Sequence, residues 1–386
     1  MLIISYDAVG DSEFERLMEY PNFSAFSKQA AAFREVRTLF LSNTYPIHTS
    51  IATGVMPGVH GVTSNTEPFP KKHPRWNSEE ARIRVKTLWQ AAAEKGIKTA
   101  AVFWPVTAFS KTVRYNIPEV LARPGKSQVM ASLKAGSKYL QLHMVLRHGK
   151  KLEGIEQPCL DNFAASCMAD ILREHRPGLA LIHLTAYDAL CHKHGKDSEA
   201  LSIALESLDT NLALLLEAAG EERDVLLFSD HSQLNIDAEL QPNDVLVGAG
   251  HMRKENGAYL AGDSGCYFEC CGGSAFFHAG SLPALQVEEL RRSIEQSEGF
   301  RRFLTQDEMS EAGFESAAFG FCAKKGYGYA AFPHGHKAEH GYPTDMPDYN
   351  VFYLARGFEL DPGATTRGGS LLDITPIVAQ RLGLEL

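Results

Sequence analysis

The chain has 386 residues, of which 44% are hydrophobic and 22% charged, with a net charge of −9 and an isoelectric point near 5.9. That length allows a large buried core and two or three domain-sized units. The acidic balance argues against a nucleic-acid polymer or an anionic membrane as the main partner, because both attract basic surfaces.

The first residues, "LIISY" (2–6), form a short apolar run rich in β-branched residues and ending at Asp7, which predicts a buried strand. Residues 11–33 have Phe14, Leu17 and Met18 at helical spacing, and Pro21 divides them into two helical pieces. In "LSNTYPIHTSIATG" (41–54), Asn43 or Thr44 is placed to cap a helix that begins near Pro46 and stops at Gly54. A helix ending at Gly96 precedes the strand run "KTAAVFW" (98–104). "GLALIHL" (178–184) leads into "TAYDALCHKHG", and an amphipathic helix with Leu201, Ala204, Leu205, Leu208 and Leu212 on one face precedes "DVLLFS" (224–229), which runs into Asp230 and His231. From about 232 to 339 glycine becomes frequent and one helical stretch, "LPALQVEELRRSIEQ", occurs. The chain then returns through "HGYPTD", opened by His340, to the strand run "NVFYLA" (350–355).

Strands that are apolar on both faces and alternate with helices predict an α/β fold: a three-layer α/β/α arrangement on a mostly parallel sheet. Residues 1–231 and 340–386 are read as this core and 232–339 as a smaller inserted α+β cap. Seven cysteines, an odd number, lack the CxxC spacing of a structural zinc site, which points to free thiols in a reducing compartment. With no leader pattern at the N-terminus and no apolar run of membrane-spanning length, the expected location is cytoplasmic.

Ligands of open parallel sheets bind beyond the carboxyl ends of the strands, and four polar clusters fall at such ends: Asp7, Asp188 with His192, Asp230 with His231, and His340. Singly, each has a plainer role: Asp7 as a helix cap or turn residue, Asp188 and His192 as an exposed i, i+4 pair, His340 as a loop histidine. Together at one rim they are costly to bury unless they hold something. Three Asp and three His make an oxygen and nitrogen donor set suited to zinc, or to manganese or iron, and they divide naturally into two three-ligand sites. Paired divalent cations suit phosphoryl or sulfuryl transfer. Thr44, at a positive helix N-terminus, is the candidate nucleophile, with simple N-capping as its structural alternative. Thr49, Ser50 and Thr53 lie further along the helix, where hydroxyls pack or bond to the backbone.

These residues resemble the nucleotide pyrophosphatase/phosphodiesterase branch of the alkaline phosphatase superfamily. "ISYD", "NTYPIHTSIATGVMPGVHGV", "FWP", "DALCHKHG", "SDH" and "HGY" occur in the family's order, from Met1 to about His231 and again from about Glu339 to Leu386. The resemblance implies an alkaline-phosphatase-like core and hydrolysis of phosphate diesters or nucleotide pyrophosphates through a covalent intermediate on Thr44. It implies that Asp7, Asp230 and His231 hold one divalent ion and Asp188, His192 and His340 the other, zinc by preference. Asn65 falls where the family binds a phosphate oxygen, and Tyr45 where an aromatic can stack on a nucleobase. The pattern departs at Cys191, in place of glycine, and His194, His334 and His336 are spare histidines nearby.

Within the superfamily, a sulfatase needs an oxidisable Cys or Ser, which "TYPIH" does not supply, and an alkaline-phosphatase-type monoesterase needs an arginine, absent near Thr44. A phosphonoacetate-type hydrolase or phosphomonoesterase is the alternative activity, and a non-catalytic metal- or phosphate-binding protein on the same fold is the alternative class. The expected partner is a small phosphate ester or nucleotide, with no nucleic-acid polymer and no membrane; sequence alone leaves the oligomeric state open.

Overall fold

The computed structural model describes residues 1–68 and 75–386. Its main sheet has eight strands: β1 (Leu2–Tyr6), β2 (Ala31–Val36), β3 (Thr99–Val102), β4 (Val113–Ile117), β5 (Leu179–Leu184), β6 (Val225–Ser229), β7 (Val351–Arg356) and β8 (Thr365–Arg367). Their order is β8-β2-β7-β6-β1-β5-β3-β4. The first strand of the chain therefore occupies the middle, with β5 and β6 parallel on either side.

Period-2 alternation explains why these runs are apolar throughout. Leu2, Ile4 and Tyr6 of β1 enter one core cluster with Ile182 and Leu227. Ile3 enters the cluster on the other face with Leu181 and Phe228. Each face is covered by helices, so both sets of side chains leave water, each worth about 1.5–3 kcal/mol. The first cluster is closed by α2 (Cys159–His175) and α4 (Leu201–Ala219), whose Leu201, Ala204, Leu205, Leu208 and Leu212 are all buried. The second is closed in part by Ile47 and Ile51 of α1 (Thr44–Thr53).

Two expectations need correction. "NVFYLA" forms β7, but it is antiparallel to both β2 and β6. A strand buried on both faces reads as a continuous apolar run whichever way it points, so composition could not reveal its direction. The helical reading of 11–33 also runs too far. The helix beginning at Pro21 stops at Gln29, and "AAFREV" is β2, where β-sheet pairing with β7 and β8 overrides the helix propensity of alanine.

Residues 234–329 build smaller sheets of their own. Tyr267–Cys270, Ser274–His278, Phe319–Ala323 and Phe300–Phe303 form a four-stranded antiparallel sheet, accompanied by the helix Ala284–Glu295. Phe268, Phe276 and Phe277 are fully buried in its packing. One pairing matters for the site. Leu234–Leu240 leaves the main sheet just after His231 and pairs antiparallel with Ala338–Glu339, in register Glu339 with Leu234. That pairing closes the excursion and sets His340 beside His231, although about a hundred residues separate them in sequence.

All seven cysteines are free thiols. Among the described residues no helix is long and apolar enough to cross a membrane.

Candidate active site

Strand register levels the carboxyl ends of β5, β1 and β6. Tyr6 lies opposite Leu184 on one side and Ser229 on the other, so the residues that follow, Asp7, the turn into α3 (Ala186–His194) and Asp230, emerge side by side. In such a sheet all strand-end carbonyls and following loops open to the same cleft.

Asp7 is buried. Its Oδ2 accepts a hydrogen bond from His183 Nε2 at 3.0 Å, while Oδ1 has no hydrogen-bond partner among the described residues. Asp230 is arranged in the same way. Its Oδ1 accepts from the amides of Ala8 (3.1 Å) and His231 (2.8 Å), and its buried Oδ2 has none. Both orphaned oxygens lie 3.4 Å from one atom, His231 Nε2. His231 donates from Nδ1 to the carbonyl of Ser232, which leaves Nε2 as the bare lone pair. Thr44 Oγ1 stands 3.3 Å from the same nitrogen.

Burial, with Asp230 and Asp188 adding their charge, pushes the Asp7 carboxyl well above its usual range. Burial likewise moves Asp230 up to about 6, against the pull of His183 and the two amides, and moves His231 down to about 4. Two carboxylates that resist ionising and a histidine that resists protonation, all aimed at one point, are the electrostatic complement of a bound divalent cation. Asp7, Asp230 and His231 present ligand atoms within 4.8 Å of one another. This oxygen and nitrogen set fits zinc, manganese or iron.

The second cluster is more open. Asp188, in the first turn of α3, has Oδ1 at 3.4 Å from Nε2 of His192, one turn on. Gln233 donates to the same carboxylate. His192 Nδ1 donates to the carbonyl of Ala338 at 2.8 Å, and His340 Nδ1 to Asn43 Oδ1 at 2.9 Å. In both rings this leaves Nε2 bare. Burial opposes ionisation of Asp188, yet the rings of His192, His340 and His231 hold its carboxyl below the usual value; burial pushes His340 down to about 3. The expected trio meets only in part: Asp188 groups with His231 and His340, whereas His192 and His340 group with Glu339. The hydrogen bond to Ala338 draws the His192 ring toward Glu339, 3.9 Å from its Nδ1.

Thr44 is the first residue of α1. Asn43 takes the N-cap position with extended backbone but makes no capping bond, because its side chain holds His340. The loop is tied down further by Ser42, whose hydroxyl donates to the carbonyl of Tyr342. His48 donates from Nδ1 to the Thr44 carbonyl and accepts at Nε2 from Ser5, both at 2.8 Å. Thr49 and Thr53 bond to the carbonyls of Tyr45 and Thr49, as expected of hydroxyls inside a helix.

Asn65 is brought next to Thr44: its Oδ1 accepts from the amide of Tyr45 at 2.9 Å, which leaves its NH₂ to donate elsewhere. Tyr45 itself is a correction. Its side chain is 0% exposed, packed with Val62 and Val106 and edge-on to Trp76, so it offers no free face to a nucleobase. Cys191 is likewise buried in the core. His336 bonds Glu339 rather than any proposed ligand, and His194 is exposed.

His183, His48, Gln233 and Glu339 were not singled out from the sequence, and Asn43 was read only as a possible helix cap, not as the partner of His340. The signal for His183 was a single polar residue inside "LALIHL"; at the other end of the ring, Glu119 lies 3.7 Å from Nδ1. Although burial disfavours its charge, Asp7 and Glu119 hold His183 protonated well above the usual range.

Gly341 allows a test of the second cluster. It has φ +83°, and a Cβ there would stand 1.8 Å from the Cys271 carbonyl oxygen and 3.1 Å from Asn43 Oδ1. Gly341→Ala will displace His340 and reduce metal content at saturation, read by elemental analysis, while the Asp7, Asp230 and His231 group still loads. Loss of both ions together, with an unfolded circular-dichroism spectrum, would refute this.

The type I phosphodiesterase / nucleotide pyrophosphatase family model matches residues 1–312. Bis(5'-adenosyl)-triphosphatase ENPP4 of Pongo abelii is 22% identical over all of this chain and 78% of its own length. Human ectonucleotide pyrophosphatase/phosphodiesterase family member 1 is 21% identical over 55% of the chain, a match covering 21% of that larger protein. Among solved structures, murine ectonucleotide pyrophosphatase/phosphodiesterase 5, as an inactive threonine-to-alanine form in complex with AMP, superimposes with a TM-score of 0.72 at 13% identity, covering 100% of this chain and 95% of the other. The human counterpart gives 0.72 at 15% identity with the same coverage. At those identities the superposition establishes a shared fold. With the family model matched over most of its length, the chain belongs to the type I phosphodiesterase / nucleotide pyrophosphatase family of hydrolases.

Proposed function

We propose that the protein hydrolyses phosphate diesters or nucleotide pyrophosphates through a covalent intermediate on Thr44, with Asp7, Asp230 and His231 holding one divalent ion and Asp188, His192 and His340 a second. The observation that carries this is the convergence of the Thr44 hydroxyl and the two partnerless carboxylate oxygens on His231 Nε2. Divalent ions bound there supply Lewis-acid charge that lowers the pKa of a hydroxyl and stabilises oxygens bonded to phosphorus.

The chain's own residues supply the rest. Thr44 Oγ1 forms a bond to phosphorus as the bond to the leaving alcohol or phosphate oxygen breaks, and the threonine proton is balanced on that leaving group. Water then adds to phosphorus, releases the monoester and restores the hydroxyl. The Thr44 amide at the start of α1 and the NH₂ of Asn65 donate to the non-bridging oxygens, where charge accumulates. His48 fixes the carbonyl side of Thr44 and so the direction of its hydroxyl. Residues 1–231 and 340–386 act as the catalytic core, with 232–339 as a cap that forms one wall and selects the leaving group. A nucleotide substrate is supported by the adenosyl-triphosphatase activity and the AMP complex named for the relatives.

The test compares bis(p-nitrophenyl) phosphate, p-nitrophenyl phosphate and phosphonoacetate with zinc- or manganese-loaded enzyme. The diester is expected to have the highest kcat/KM. A preference for the monoester or phosphonate would replace the proposed activity.

A further inference from the structure

The helix pair Gln128–Ala135 and Lys138–His148 lies at the β4 edge of the main sheet. The second helix is amphipathic in an inverted sense. Gln141 and Met144 face inward, and the outward face carries Tyr139, Leu142, Val145 and Leu146, with Tyr139 84% and Leu146 87% exposed. Positions 139, 142 and 146 follow helical spacing, so they form one apolar stripe. Val129 and Met130 of the first helix are exposed as well. A solvent-facing helix surface ordinarily carries charge, and contiguous exposed apolar groups mark a binding surface.

The charge around this stripe points to its occupant. From residue 120 to 152 the chain has seven basic residues, Arg123, Lys126, Lys134, Lys138, Arg147, Lys150 and Lys151, and no acidic residue, whereas the whole chain carries −9. Among the described residues, only Arg147 of these is neutralised by carboxylates, those of Asp170 and Glu174; Lys151 bonds the Ser166 hydroxyl. Lys126, Lys134, Lys138 and Lys150 are exposed; Lys138 opens the helix that carries the stripe and Lys150 follows its end.

We propose that this helix pair docks the protein on an anionic lipid surface. Tyr139, Leu142, Val145 and Leu146 enter the headgroup boundary, and the flanking lysines meet lipid phosphates. An aromatic and aliphatic face rimmed by lysine is the composition of helices that lie in the plane of a bilayer. The net acidity that argues against an anionic membrane when summed over the whole chain acts weakly at this patch, because charges more than about 8 Å apart are largely screened at physiological salt. Docking would hold the enzyme at the sheet's edge without occupying the cleft at β1, β5 and β6.

The experiment is cosedimentation of the 386-residue chain with large unilamellar vesicles of phosphatidylcholine alone or with about 30 mol % phosphatidylserine. Binding is expected only to the anionic vesicles, weakening as sodium chloride is raised. Lys134→Ala with Lys138→Ala should lower partitioning about fivefold per lysine and about thirtyfold together. Tyr139→Glu with Leu146→Glu should abolish it with an unchanged thermal midpoint, since both side chains already face water. Failure of the wild type to sediment, or equal sedimentation with neutral vesicles, would overturn the proposal. So would a concentration-dependent dimer lost in the Tyr139/Leu146 variant without vesicle binding, which would assign the stripe to a second copy of the chain. None of these readouts uses catalysis, so they stand apart from the proposed reaction.

Discussion

Replacing Thr44 by alanine is expected to lower kcat on bis(p-nitrophenyl) phosphate by about 10³–10⁶-fold, the range seen when a covalent nucleophile is removed and only binding and electrostatic stabilisation remain. The substitution separates chemistry from architecture. Thr44 contributes one hydroxyl, 3.3 Å from His231 Nε2, whereas Asp7, Asp230 and His231 keep their positions through His183, the Ala8 amide and the Ser232 carbonyl. Metal content and thermal midpoint should therefore stay close to wild type. Thr44→Ser retains the hydroxyl and should recover measurable turnover. Rapid acid quench followed by peptide mass spectrometry should place a p-nitrophenylphosphoryl adduct, or with a nucleotide substrate a nucleotidyl adduct, on the α1 peptide in the wild type and none in the alanine variant. Turnover of Thr44→Ala within tenfold of wild type, with metals bound, would remove the covalent step from the mechanism.

The second large effect concerns metal removal. Without a cation, the Asp7 and Asp230 oxygens that lack partners stay buried against each other's charge, an arrangement that costs several kcal/mol. Reloading a chelator-stripped sample with zinc at a thousandfold excess over Kd should contribute about 4 kcal/mol, read as about 5 °C in the midpoint of a chain this long. The gain should depend on pH in a defined direction. Asp230 has a folded pKa of about 6 against 3.8 for an ordinary carboxyl. The metal-free folded state therefore holds a proton that the unfolded chain has lost between those values.

Below about pH 4 the Asp230 carboxyl is protonated in both states and adds no penalty. As pH rises through about 6 it must ionise while buried, at a cost of about 3 kcal/mol to the stripped protein. Bound cation offsets that cost, so the stabilisation by metal should grow from pH 5 to beyond 6. Asp7, shifted the same way, extends the rise to higher pH. Asp230→Asn removes the charge and should cut the zinc-induced gain by more than half. A gain that is level between pH 5 and 7.5, or one unaffected by Asp230→Asn, would show that these oxygens are not ligands.

The positions of Asp7, Asp188, Asp230 and His231 were legible because each follows a short apolar run. A strand end is a local event: the run stops where the backbone leaves the sheet, and the next polar residue is at the rim. Helix α1 was legible for a similar reason, since its end at Gly54 is a left-handed cap with φ +78°; its start fell two residues earlier than Pro46 because Thr44 already has helical geometry. Tyr45 shows the limit of motif position. Its place beside Thr44 suggested contact with substrate, but burial is decided by Val62, Val106 and Trp76, which come from later loops.

Chain-local chemistry thus determined the ends of strands, the caps of helices and the inventory of donors, because periodicity, glycine and side-chain type act over a few residues. Tertiary structure alone decided which way β7 runs, that β1 lies between β5 and β6 with their ends level, and that the pairing of Leu234 with Glu339 returns His340 to His231. It also decided that His183 and His48, neither singled out beforehand, aim the two ends of the site: one holds an oxygen of Asp7, the other the carbonyl of Thr44. Those relations are set by hydrogen-bond register and packing between segments far apart in the chain, which no local pattern encodes.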